Sequence, residues 1–395
     1  MRTKLYAIAL FTLTLGAVLY YPHLSATTQV SQTTVNHHIT AEKPRVDVVF
    51  VLDTTGSMSG LIQTAKDKIW SIATTMASAQ PTPEIRIGLV AYRDRGDQYV
   101  TRRVDLSSDL DSVYAALMDF KAEGGGDTPE SVNQALHDAV HGMSWSQDSQ
   151  AYRVVFLVGD APPHMDYNEV QYPQIVTDAL DKGIVINTIQ CGEESATVGP
   201  WTQIASLGQG NFFQVEQAGG AIAFTTPYDR EIADLSARLD DTRLYYGSDE
   251  EKAKMSEKVA ATDKLHAGAS LESRARRGVF NAAAGGRANL LGEKELVSAV
   301  ASGEIQLDEI EAEALPEALQ PMAPAEQEAY LVGLASERNE LQQQIRDLSE
   351  DRDSYLAKKV EEAGGLDDSL DRQIHDAVRE QAGKAGLEYG EDASY

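Results

Sequence analysis

The chain has 395 residues, enough for one sizeable α/β domain plus a second region, since domains usually run to about 100–200 residues. It carries 61 Asp plus Glu against 34 Lys plus Arg, a formal net charge of −27, and no basic patch offsets it, which disfavours nucleic acid and anionic lipid as partners. Its single cysteine, Cys191, excludes an internal disulfide and a cysteine-built zinc cage, and lies too far from the N-terminus for lipid attachment near residue 25.

Residues 1–26 read as an export signal or membrane anchor. Arg2 and Lys4 precede an uncharged apolar run from Leu5 to Tyr21, and Pro22 follows. Cleavage and retention compete. Leu24-Ser25-Ala26 offers a small residue at a cleavage point, whereas Tyr20 and Tyr21 suit a membrane interface, and the run is slightly short of the ~20 residues of a spanning helix. Both readings place the rest in the periplasm or outside the cell, with the first helix either removed or kept in the cytoplasmic membrane. A polar linker, 27–43, contains His37-His38, a pair able to chelate metal adventitiously.

From residue 44 to 240 strands and helices alternate. Val46 to Leu52 is a near-continuous β-branched run of the kind needed by a strand covered on both faces, and helical spacing follows from Gly60 to Met76. Glu84 to Tyr92 and Tyr99 to Leu106 read as strands joined by a polar turn, Arg93 to Gln98. Helices are expected at Asp109 to Phe120 and Pro129 to His141, then a strand from Tyr152 to Val158. A helix over about 170–181, a strand Ile184 to Ile189, a helix over about 200–207 and a strand Phe212 to Val215 complete the series. This alternation predicts an α/β fold with a doubly wound, mostly parallel six-stranded sheet. From about Ala218 the composition turns to Ala, Glu, Asp, Leu and Arg, so residues 241–395 are expected to be an acidic helical region. Pro324 opens a helix expected to run to Lys359, with Leu334, Leu341, Leu348 and Tyr355 every seven residues. Arg338, Arg352 and Lys359 make that seam half polar, which favours helices packed on their neighbours over a long coiled coil.

The chemistry concentrates at strand ends. Asp53-Thr54-Thr55-Gly56-Ser57 ends the first strand, and Gly159-Asp160 ends the fourth. If the strand order is 3-2-1-4-5-6, these two strands are neighbours at the point where ligands bind in doubly wound sheets. Asp53 and Asp160 then face one crevice with the hydroxyls of Thr55 and Ser57. The loop Gly124-Gly125-Gly126-Asp127-Thr128 can add the hydroxyl of Thr128, although Thr128 before Pro129 is also a good helix N-cap. Such hard oxygens suit Mg²⁺, with Mn²⁺ or Ca²⁺ as alternatives.

The order D-x-T-x-S, a Gly-rich loop with Thr, and a strand ending in Asp resembles the metal-ion-dependent adhesion site of von Willebrand factor type A (vWA) domains, of a secreted or membrane-anchored bacterial type. The resemblance covers about residues 44–240. It implies that Asp53, Thr55, Ser57, Thr128 and Asp160 hold one divalent metal, directly or through water, and that an Asp or Glu of a protein partner fills the remaining position. The expected function is therefore a metal-dependent protein-binding module of the cell envelope, without catalysis. Two other readings stand beside it: metal-assisted hydrolysis, and assembly or self-association through the helical C-terminal region. Arg95-Gly96-Asp97, an integrin-recognised tripeptide elsewhere, is read as turn chemistry. His164 is read as a solvent-facing loop residue, Cys191 as a small buried residue, and Trp201 and Phe212-Phe213 as packing.

Overall fold

The computed structural model describes residues 43–126, 128–215, 225–362 and 370–390. The expected export segment 1–26, the linker up to residue 42 with His37 and His38, and Asp127 lie outside the described residues. Among the described residues no helix is long and apolar enough to cross a membrane. The described residues form one compact unit.

Six strands, β1 Arg45–Asp53, β2 Glu84–Tyr92, β3 Thr101–Ser107, β4 Tyr152–Gly159, β5 Ile184–Cys191 and β6 Gln209–Val215, form one sheet in the order β3-β2-β1-β4-β5-β6. All neighbours are parallel except β2 and β3, a hairpin that closes one edge. In β1, Val46, Val48, Phe50 and Leu52 enter one core while Val49 and Val51 enter the other, which is why the strand reads as an unbroken apolar run. The second core lies under α3 Val132–His141, α4 Tyr172–Asp181 and α5 Ser195–Leu207. The first lies under α1 Ser59–Ala77 and α2 Leu110–Met118, and it also takes in residues far along the chain: Leu265, Phe280, Ile374, Val378 and Leu387.

Except for Leu387, which follows the last of them, those residues belong to a helical array of α6 Asp229–Asp241, α7 Asp249–Gly268, α8 Leu271–Ala282, α9 Arg287–Leu291, α10 Leu296–Ala301, α11 Pro324–Glu362 and α12 Leu370–Gly383. The C-terminal helix α12 is fastened to the sheet by an amide pair. Gln381 Nε2 donates to Asn187 Oδ1 at 2.9 Å, Asn187 Nδ2 returns a bond to Gln381 Oε1 at 3.1 Å, and Tyr152 Oη donates to the same Oε1 at 2.7 Å. Beyond it, Glu388 and Gln80 exchange backbone hydrogen bonds of 2.8 and 3.0 Å.

The helices are also tied to the sheet domain by buried charge. Arg277 of α8 is fully buried between Asp111 of α2 and Asp240 of α6. Its Nε and Nη2 donate to Asp111 at 2.7 and 2.5 Å, and Nη1 and Nη2 donate to Asp240 at 2.7 and 3.0 Å. Asp111 further accepts from Thr262 Oγ1 at 2.8 Å, and His266 Nε2 lies 2.8 Å from Asp240. Arg277 holds both carboxyls below the usual carboxylate range despite burial that pushes the other way.

Several expected boundaries move. The helix expected from Pro129 begins at Val132, and the one expected near residue 200 begins at Ser195, with the Glu194 side chain accepting from Ala196 N and Pro200 inside the helix. In α11, Leu341 and Ile345 pack on Ile232, Leu235 and Leu239 of α6. The arginines expected to make a polar seam are instead buried ion pairs, Arg338 with Glu295 at 2.9 Å and Arg352 with Asp229 at 2.8 Å. The long helix thus packs on shorter helices of its own chain.

Arg277→Met leaves Asp111 and Asp240 buried with only the more distant Lys258 and Arg243 as cations, and a loss of about 3–5 kcal/mol of folding stability is expected in urea titrations. The wild-type contribution is present at neutral pH and is lost only as pH falls below about 4, through the depressed carboxyl values, so the variant's deficit should shrink in acid. Deleting residues 241–395 uncovers the α1 side of the sheet. The remainder is expected to bind the dye ANS and to lose its cooperative thermal transition.

Candidate metal site at the ends of β1 and β4

β1 and β4 are adjacent, so Asp53 and Asp160 leave the sheet side by side at its carboxyl edge, where the strand order reverses. Asp53 is buried beneath the surface, and its Oδ1 accepts from Thr55 N at 2.8 Å and Thr55 Oγ1 at 2.6 Å. Thr55 Oγ1 in turn lies 3.2 Å from Ser57 Oγ. The Asp160 backbone amide also donates to the Asp53 carboxyl. Asp53 Oδ2 is buried and has no hydrogen-bond partner among the described residues.

The Gly-rich loop is hydrogen-bonded onto this turn. Gly56 N donates to Gly124 O at 3.0 Å, Glu123 N donates to Thr54 O at 3.1 Å, and Thr54 N and Oγ1 both donate to Tyr92 O at the end of β2. Gly124 and Gly125 have φ of +77° and +69°. A Cβ on Gly124 would sit 2.4 Å from Asp97 Oδ1, and one on Gly125 would sit 3.0 Å from Thr55 Cβ, so both positions require glycine on conformational and steric grounds. Asp97 is the strut behind them: its two carboxylate oxygens accept from Gly125 N at 3.2 and 3.0 Å, and Oδ2 also accepts from Asp94 N at 3.2 Å. Arg95 pairs with Glu169 at 2.6 Å and stacks over Tyr167. The Arg95-Gly96-Asp97 tripeptide is therefore engaged within the protein.

The third segment precedes α3. Glu130 N donates to Pro162 O at 3.0 Å and His164 N to Glu130 O at 3.1 Å, which joins it to the loop after β4. Since α3 starts at Val132 with Ser131 at its cap position, and Ser131 Oγ donates to Asp94 Oδ1 at 2.8 Å, Thr128 is not the helix cap. It lines instead a cleft of about 380 Å³ together with Thr55, Ser57, Glu130, Asp160 and Glu194. Four of the five residues singled out from sequence line this cleft, and Asp53 lies beneath it, hydrogen-bonded to Thr55. No basic side chain is among the described residues that line it.

Glu130 was not singled out from sequence, yet it is the second buried carboxyl of the cleft and its Oε2 has no hydrogen-bond partner among the described residues. Burial, followed by the charges of Asp53, Asp94, Asp97 and Asp160, pushes Glu130 up to about 9. Burial, with a smaller push from Asp160 and against the hydrogen bonds of Thr55, raises Asp53 to about 7. The buried Tyr92 hydroxyl, also without a partner among the described residues, is raised by burial and then by the same carboxyls. Among the described residues no three His, Cys, Asp or Glu side chains form a cation cage, so a cation held here would depend on hydroxyls as well as carboxylates.

His164 differs from expectation. It is buried, with Nδ1 2.7 Å from Asp166, Nε2 3.4 Å from Asp94, and its ring stacked on Tyr167 at 3.8 Å, so it supports the loop after β4 rather than facing solvent. Cys191 is buried as expected, with its thiol pushed up by burial and by Asp160 and Asp53. Trp201 packs in the second core and donates its Nε1 to Ala161 O at 3.0 Å, bracing the loop after Asp160.

A family model described as von Willebrand factor A domain matches residues 47–226. Among named proteins, the chain is 28% identical over 123 residues to the ariadne-like RING finger protein R811 of Acanthamoeba polyphaga mimivirus, covering 31% of this chain and 12% of that protein. It is 28% identical over 129 residues to alpha-protein kinase vwkA of Dictyostelium discoideum, covering 30% and 19%. It thus spans less than a fifth of either relative. Similar solved structures include proximal thread matrix protein 1 from the mussel byssus, at 16% identity and TM-score 0.35 over 44% of this chain and 42% of that one. The SpRpn10 VWA domain matches at 14% identity and TM-score 0.34, over 44% and 89%. A further form of the mussel protein, described as having a zinc-occupied MIDAS motif, matches at 18% and 0.34, over 44% and 42%.

Because the folded-state values of Asp53 and Glu130 lie above their ordinary 3.8 and 4.5, each favours folding at low pH, and that contribution is lost as pH rises toward about 7 and about 9. In the presence of chelator, the melting temperature is expected to fall between pH 5 and pH 9, and Glu130→Gln should flatten the part of that fall above pH 7. A flat profile in the wild-type chain would contradict this account of the cleft.

Proposed function

Taking residues 47–226 as a vWA domain, we propose that the chain is a protein-binding module of the cell envelope, periplasmic or extracellular, that holds one divalent cation and through it grips an Asp or Glu carboxylate of a partner, with no catalysis of its own. The observation that carries this reading is a pair of buried carboxylate oxygens, Asp53 Oδ2 and Glu130 Oε2, without hydrogen-bond partners among the described residues, beside three hydroxyls in a cleft whose described lining includes no Lys, Arg or His. Ionised carboxylates so placed need a cation or a proton. Asp53, Thr55, Ser57, Thr128 and Asp160 would hold the ion, and Glu130 adds a sixth oxygen-bearing side chain. A set of hard oxygens of this kind favours Mg²⁺, with Mn²⁺ and Ca²⁺ as competitors.

Bound there, the ion supplies a local positive charge and a coordination position open to an incoming carboxylate. The chain's own residues supply the rest. The Thr55 hydrogen bonds orient Asp53, Asp97 holds the Gly-rich loop against Thr55, and Trp201 and His164 brace the loop that carries Asp160. Selectivity for acidic partners follows from charge, because without the ion the cleft offers an incoming carboxylate only acidic side chains, Asp160 and Glu194 among them, and no positive charge among the described lining residues.

Mn²⁺ titrated into the chain and followed by electron paramagnetic resonance should reveal one site, and Asp53→Ala should weaken it at least tenfold. Acidic peptides on an array should bind in Mg²⁺ and be released by EDTA. Unchanged Mn²⁺ affinity in Asp53→Ala, or peptide binding that persists in EDTA, would reject the reading.

A further inference from the structure

A second cleft, of about 640 Å³, lies away from the strand ends, among the helices of the C-terminal half. It is formed where the end of α8 meets α9 and α10, with α11 as the opposite wall and Lys43 at its margin. Its floor is apolar: Ala282, Leu290, Leu291 and Val297 are buried core residues of the array. Its volume falls within the ~300–1,000 Å³ typical of small-molecule sites.

Its rim carries a charge opposite to that of the chain. Lys43, Arg287 and Arg346 are exposed there, and no Asp or Glu is among the described lining residues. In a chain of 61 acidic and 34 basic residues, most cations are expected to find carboxylates. These three have no carboxylate partner among the described residues. Arg287 donates to the Ser298 hydroxyl, and Arg346 donates to Ala282 O at 3.2 Å and to Gln343 Oε1 at 2.7 Å, all neutral acceptors. The contrast with Arg338 in the same wall is informative, because it is buried and bound through two nitrogens to Glu295 at 2.9 Å each. The guanidinium groups of Arg287 and Arg346 hold their positions by neutral contacts and retain net charge for an oxyanion.

We infer that this cleft binds a small amphiphilic anion, a carboxylate or phosphate monoester with a short aliphatic body. Its head is held by Arg287 and Arg346, with Lys43 adding positive potential, and its body lies on Leu290, Leu291 and Val297. The site is independent of the one at the strand ends.

The test uses octyl phosphate and octanoate in isothermal titration calorimetry with the full chain in EDTA, against 1-octanol and inorganic phosphate as half-ligands. Both amphiphiles are expected to bind one per chain, at least tenfold more tightly than either half-ligand. The double variant Arg287→Ala/Arg346→Ala, whose exposed side chains can be removed without opening the core, should lose at least tenfold while keeping its circular dichroism spectrum and melting temperature. Asp53→Ala should bind both amphiphiles normally, which separates this site from the proposed metal site. The inference is overturned if neither amphiphile binds, if 1-octanol binds as tightly as octyl phosphate, or if the double variant binds undiminished. Association solely with vesicles containing phosphatidylglycerol, without binding of the free amphiphiles, would likewise overturn it in favour of a lipid surface.

Discussion

A carboxylate cut off from water must meet a donor, a cation or a proton, and the fold imposes that requirement on Asp53 and Glu130 together. Asp53 is driven under the surface by its place at the end of a strand buried on both faces, and Glu130 by backbone bonds to Pro162 and His164. The charge of Asp53 adds to the cost of ionising Glu130, and that of Asp160 to the cost of ionising both. Everything around the cleft keeps this crowding from relaxing: the glycine-only turn at Gly124 and Gly125, the Asp97 strut, and the indole bond from Trp201 to Ala161. The loops are assembled by hydrogen bonds among themselves, so an ion would enter a framework already shaped.

The C-terminal helices serve the same framework from the other side of the sheet. They supply part of the core under α1 and a buried guanidinium shared by α2 and α6. Removing Arg277 leaves two buried carboxylates with only the more distant Lys258 and Arg243 as counter-charges, at 4.0 and 3.5 Å, so the buried guanidinium ties the acidic helical segment to the sheet domain.

Much of this was legible in the sequence because it depends on local pattern. The runs Val46 to Leu52 and Tyr152 to Val158 announce doubly covered strands, and the five oxygen donors sit at strand ends in a recognisable order. Glu130 was not legible, because a Glu at the mouth of an expected helix is ordinarily satisfied by first-turn amides. Its burial comes from the loop after β4, about thirty positions away, and the same contact delays α3 to Val132. His164 was misread for a similar reason: Asp94 and Tyr167, which enclose it, come from two different loops. Arg338 and Arg352 looked like a polar seam because their partners, Glu295 and Asp229, are remote in sequence.

The amide pair between Gln381 and Asn187, with Tyr152 bound to Gln381 across 229 residues, sets the order of events when the chain is made. Emerging strands can pair locally, but the patch of sheet at Tyr152 and Asn187 stays uncovered until α12 has been synthesised and docked. Contacts that close such long loops are slow to form, and the waiting intermediate leaves Asn187, Tyr152 and the end of α1 at Met76 without their late partners Gln381 and Tyr389. Folding yield should therefore be governed by the docking of α12, a vulnerability that a freely standing six-stranded domain would not share.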